Sequence, residues 1–188
     1  MVNQSANAAA NNIVTYGSGA IVALQSGAAL PSQFLTFMLG GEVFAIGILA
    51  IKEIIEYDGL TTVPLMPECV RGVINLRGAV VPVMDLAARF GRPPTQIGKR
   101  TAIVIVEIDA DGEQQVVGVM VDAVNAVIDI PPSDIEPAPQ FGARIRAEFI
   151  AGMGKVNGKF VILLNTDQVL SVTELEAMAL IGGAPAAA

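Results

Sequence analysis

Arg71-Gly72-Val73-Ile74-Asn75-Leu76-Arg77-Gly78-Ala79-Val80-Val81-Pro82-Val83-Met84-Asp85-Leu86 reads as a strand, a tight turn and a second strand. The apolar runs Val73–Leu76 and Val80–Met84 flank Arg77-Gly78, and glycine supplies the positive φ that such a turn needs. Pro82 has no N–H to give to a ladder, so its run is expected at an edge or a bulge. Asp85–Phe90 then reads as a short helix, stopped by Gly91 and Pro93-Pro94.

Outward from this stretch the same unit recurs. Phe34–Leu39 and Val43–Ile46 flank Gly40-Gly41, and Ala102–Ile108 and Val116–Val121 flank Asp109–Gly112. Gly154–Val156 and Phe160–Leu164 flank Asn157-Gly158, the strongest short hairpin signal in the chain. A second helical piece is expected over Thr173–Leu180, where Thr173 and Glu176 have capping-box spacing. Many short strands with glycine-containing turns indicate a mainly β chain, as small barrels or a sandwich.

An internal repeat decides between these. Val43–Ile48 aligns with Val116–Val121, and the alignment runs on without a gap to place Ile51 over Val124, Ile54 over Val127 and Ile55 over Ile128. Gly72, Gly78, Val81 and Asp85 fall in the same way on Gly152, Gly158, Val161 and Asn165. We therefore expect two homologous barrels, residues 33–97 and 98–172, dividing near Pro93–Gly98, with exchange of strands between them left open. Residues 1–32 contain no charged side chain and read as a mobile N-terminal tail; residues 173–188 read as a C-terminal helix and tail.

Composition narrows the function. Of the 188 residues 53% are hydrophobic and only 15% charged, too few charges to cover every apolar side chain, so some apolar surface is expected to serve partners. The net charge of −7 and the lack of any basic cluster larger than Lys99–Arg100 argue against nucleic acid. No apolar run approaches the ~20 residues that span a bilayer, the N-terminus lacks a basic signal region, and the single Cys69 suits a reducing compartment. These features indicate the cytoplasm.

Chemistry is hard to build from this inventory. Histidine is absent, which removes the Ser-His-Asp triad, the Cys-His pair and phosphohistidine. Cys69 reads as a small apolar residue. Gly152-Met153-Gly154-Lys155 lacks the Ser/Thr and the spacing of a phosphate loop. Asp109, Asp111 and Glu113 sit on one tight hairpin without the spacing of a calcium loop, so a solvated turn is expected. Glu53 and Glu56 could serve sugar hydrolysis, but no aromatic platform accompanies them: Trp is absent and Tyr numbers two. No enzyme, cofactor or metal site is expected.

The stretch 71–86 closely resembles the signature of the CheW family of bacterial chemotaxis coupling proteins. The resemblance extends through Phe34–Glu56, Pro64–Pro67, Val117–Asp122, Ile135–Pro139 and Gly152–Asn165, about residues 33–172 in all. It implies two SH3-like five-stranded barrels with a few short helices. It also implies a non-catalytic adaptor that bridges methyl-accepting chemoreceptors to the histidine kinase CheA. In that family the coupling protein docks on the kinase's SH3-like regulatory domain, and the receptor's signalling tip binds in an apolar groove between the barrels. No direct membrane insertion is involved. Gly72 and Arg77 fall at positions where the family's receptor coupling is sensitive, and Ile51, Val124 and Val127 match apolar positions of its groove. Glu53 matches a carboxylate partner for Arg77, whose guanidinium could grip it bidentately. Kinase-facing residues are not identified by the resemblance. Two alternatives stand beside this reading. One is a barrel for a small ligand or oligosaccharide, which the scarcity of aromatics disfavours. The other is a regulatory fragment of a CheA-like kinase, which is less expected of a chain with its own Met1 and tail and no ATP-binding segment.

Overall fold

Among the described residues, three two-residue turns have positive φ at both central residues: Gly40-Gly41, Arg77-Gly78 and Asn157-Gly158. That is the geometry whose twist matches the right-handed twist of flanking strands. The computed structural model of the protein describes residues 33–110, 112–139 and 145–171. The two expected tails and the helix expected over Thr173–Leu180 lie outside the described residues. Within them the chain runs β1 (Gln33–Leu39), β2 (Glu42–Gly47), β3 (Ile51–Glu56), β4 (Val70–Leu76), β5 (Ala79–Asp85), α1 (Leu86–Arg89), β6 (Ala102–Ala110) and β7 (Glu113–Val121). It continues with β8 (Ala123–Asp129), β9 (Ile135–Glu136), β10 (Ile150–Val156), β11 (Lys159–Leu164) and α2 (Thr166–Val169).

The strands form two sheets, β8-β1-β2-β11-β10-β9 and β3-β6-β7-β5-β4. Replacing each strand by its repeat partner (β1 by β6, β2 by β7, β8 by β3, β11 by β5, β10 by β4) turns the first order into the second. The parallel pairs correspond as well, β11 with β2 and β5 with β7. The chain segments 33–97 and 98–172 are thus not the two barrels: each contributes strands to both sheets, because the first hairpin of each repeat lies in the sheet of the other. The two-residue β9, the sixth strand of its sheet, answers to the isolated bridge Thr61↔Val73 in the other. β5 is an internal strand, yet its pairing with β7 begins at Val83, so at Pro82 only β4 runs alongside.

The exchanged hairpins have apolar residues on both faces, which is why they read as near-continuous apolar runs. Phe34 and Ala45 face the interior of one barrel, and Ile103, Ile105 and Met120 that of the other. Their neighbours Leu35, Phe37, Phe44 and Ile46 meet Val104, Val106, Val117 and Val119 in a larger core shared by both sheets. Burial of such side chains stabilises by roughly 1.5–3 kcal/mol each. The shared core therefore holds the two barrels as one unit.

Candidate functional site

The margin of the shared core is set by two β-bulges. Strict alternation would place Ile51 and Ile54 on opposite faces of β3. The register instead skips Lys52, pairing Ile51 with Val106 and Ile54 with Val104. Both isoleucines consequently stand beside residues that face the shared core. β8 does the same by skipping Asn125: Val124 pairs with Phe37, and Val127 with Leu35. Ile51 and Val124 are half-buried against the shared core, while Ile54 and Val127 are 45% and 49% exposed. Each strand ends its sheet. The molecule thus carries two repeat-related apolar rims, one on each sheet. Neither β3 nor β8 is legible as a strand in the sequence, because the bulges break the alternation that reveals strands.

Arg77 lies in the β4–β5 turn with φ 51°, and the turn is fixed by the Asn75 side chain, whose Oδ1 accepts from Gly78 N at 2.8 Å. Its guanidinium donates to Glu53 twice, Nη1 to Oε1 at 2.7 Å and Nη2 to Oε2 at 2.9 Å. Because β3 and β4 are the two ends of one sheet, this pair joins them across the mouth of the barrel. The Arg77 side chain stays 78% exposed and that of Glu53 25%. The pair leaves a flat cationic surface in solvent, and contributes only ~0–1 kcal/mol to stability.

Gly72 is buried and offers a partner no surface. A Cβ there would overlap the carbonyl oxygen of Thr61, which accepts from Val73 N at 2.8 Å, and its φ is 151°. Its repeat partner Gly152 is crowded too, though chiefly by a side chain: a Cβ would stand 2.8 Å from Ile135 Cγ2 and 3.0 Å from Glu136 O. The matched glycines let a crossing segment lie flat on β4 and on β10.

Sequence reasoning missed the role of Asp85. Its buried carboxylate accepts from Ala87 N (2.9 Å), Thr95 N (2.8 Å), Thr95 Oγ1 (2.9 Å) and Arg71 Nη1 (3.0 Å). It caps α1 and pins the segment that leads to β6. Only the cap had a local signal. On the second repeat, the exposed Lys155 pairs with Glu136, whose hydrogen bond and negative charge raise the lysine pKa.

At the β6–β7 hairpin, Asp109 Oδ1 accepts from Gly112 N at 2.9 Å. Among the described residues no group of three His, Cys, Asp or Glu is placed to hold a metal ion, and no helix is long and apolar enough to cross a membrane. A cleft of about 700 Å³ lies between the β1–β2 turn and residues 87–96, but Phe90 is the single aromatic among its lining residues.

Comparison with known proteins agrees with this architecture. Residues 33–174 match the CheW-like domain family. The chemotaxis protein CheW of Klebsiella aerogenes is 33% identical over 83% of this chain and 92% of its own length. That of Helicobacter pylori is 35% identical over 73% of this chain and 81% of its own. The crystal structure of the scaffolding protein TtCheW from Thermoanaerobacter tengcongensis superposes with a TM-score of 0.65 at 36% identity, covering 73% of this chain and 86% of that one. With two strand-exchanged barrels and a match across every described strand, the chain belongs to the CheW-like family.

Proposed function

We propose that this chain is a cytoplasmic, non-catalytic scaffold that couples methyl-accepting chemoreceptors to the histidine kinase CheA. The observation that carries the reading is the combination of apolar rims on β3 and β8 with an exposed guanidinium held in place by Glu53. Ile51, Val124 and Val127 offer apolar contact to a receptor tip. Arg77, held flat by Glu53, offers a donor face for a carboxylate or carbonyl on that tip. Gly72 acts indirectly, by letting Leu60–Thr61 cross β4.

Co-purification with a receptor cytoplasmic fragment and the kinase tests the whole reading, and a folded chain that forms no ternary complex would overturn it. Arg77→Ala tests the site. The variant should unfold within ~1 kcal/mol of the parent yet lose most receptor capture in a pull-down, whereas undiminished capture would remove Arg77 from the interface.

A further inference from the structure

The two rims are related by the repeat but differ in charge. β3 carries Lys52, Glu53 and Glu56, whereas β8 carries no charged side chain from Ala123 to Ile128. β8 also has a strand neighbour on the β1 side alone among the described residues, and its Val127 is 49% exposed. An uncharged, apolar segment would cover β8 without stranding an ion, and could not cover β3 so cheaply.

The register shows where such a segment is at hand. The chain enters β1 at Gln33, directly opposite Asp129 on β8, and Phe34 lies between Ile128 and Gly47. Two residues beyond Gly47 stands Leu49, 81% exposed. The 32 residues before Gln33 hold no Asp, Glu, Lys or Arg, and lie outside the part matched by the family. Their most apolar stretch, Ile21-Val22-Ala23-Leu24, is followed by Leu30 close to the start of β1. Val127 is two residues from Asp129, roughly 7 Å along the strand. The residues between Leu24 and Gln33 can span roughly 26 Å when extended, several times what is needed.

We propose that the segment Ile21–Leu30 of this chain seats on the β8 rim, over Val127 and beside Leu49, and competes there with the receptor. The contact itself stands on register, exposure and charge; only the identity of the displaced partner rests on the receptor reading above. The segment then acts as a built-in competitor: a receptor meets a rim that is free for only part of the time, and its apparent affinity is reduced by that fraction.

The test uses the full chain and the double variant Ile21→Asp, Leu24→Asp, which leaves every residue from Gln33 onward unchanged. Hydrogen exchange of the β8 amides that point away from β1 should accelerate about tenfold in the variant, as expected when a covering segment is released. Binding of a receptor cytoplasmic fragment should tighten by a similar factor, about tenfold. Equal β8 exchange in parent and variant would overturn the proposal. Slow exchange in both that depends on protein concentration would overturn it too, and assign the rim to a second copy of the chain. Accelerated exchange with no receptor binding by either protein would keep the contact and remove the receptor reading instead.

Discussion

The segments β4–β5–α1 and β10–β11–α2 are two copies of one unit, with the same turn geometry, the same bulge and the same place for a helix cap. In the second copy the cap is Asn165, which accepts from Gln168 N at 3.4 Å. In the first it is Asp85, fully buried, which also holds Arg71 and both polar groups of Thr95. The turns differ in the same sense. Asn157-Gly158 has the residues that positive φ favours, while Arg77-Gly78 puts a long cation at that position and pairs it with Glu53. The position equivalent to Glu53 in the other repeat is Ala126. The fold thus uses the backbone of the unit twice, but the buried cap carboxylate and the Arg77–Glu53 pair once. They stand where the chain must be tied to its next segment and where a side chain is held out to solvent.

The sharpest way to break this comparison is at the caps. Asp85→Ala would leave a buried amide and hydroxyl of Thr95 and the Arg71 guanidinium without their acceptor. We expect a loss of about 3–5 kcal/mol, against about 1 kcal/mol for Asn165→Ala, which removes one exposed cap. Urea unfolding of the two variants measures both. Losses within 1 kcal/mol of each other would mean that the carboxylate is no more than a cap.

The glycines test the shared part. Gly72→Ala meets a backbone carbonyl and a disfavoured φ together, whereas Gly152→Ala meets chiefly the Ile135 methyl, which can give way. The first should cost about 2–4 kcal/mol and the second about 1–2 kcal/mol, read as unfolding midpoints at equal slope. If the order is reversed, the crossing strand β9 is the more rigid of the two crossings.

Much of this architecture is visible in the chain without coordinates. The hairpins announce themselves through Gly40-Gly41, Arg77-Gly78 and Asn157-Gly158, and the doubled Gly and Asx spacing exposes the repeat. The exchange of hairpins between barrels does not show, because Leu35 or Val104 reads as equally apolar whichever sheet it joins. β3 and β8 were hidden by their bulges at Lys52 and Asn125, which move Ile54 and Val127 to the face that simple alternation denies them. Asp85 was legible as the start of a helix. Its hold on Thr95 was not, since nothing local marks which loop will close over a buried carboxylate. At the candidate site, Glu53 and Arg77 are legible as a pair only through family likeness. Composition alone would have left two exposed charges, because their contact depends on how a barrel mouth closes.

The smallest expected effect concerns the turns, and reciprocal exchange measures it. Arg77→Asn gives the first turn the residue that suits positive φ and removes an ion pair that contributes ~0–1 kcal/mol, so the two changes should cancel to within ~0.5 kcal/mol. Asn157→Arg has no such compensation: it loses the favoured residue, finds Ala126 where the first repeat has Glu53, and adds a cation between Lys155 and Lys159. A loss of about 0.5–1 kcal/mol is expected. Thermal unfolding of the pair resolves the asymmetry. Should Arg77→Asn destabilise by 2 kcal/mol or more, the Arg77–Glu53 contact would be a structural clasp of the barrel mouth rather than a group kept for a partner. The comparison between a turn built for folding and a turn built for contact would then fail at this site.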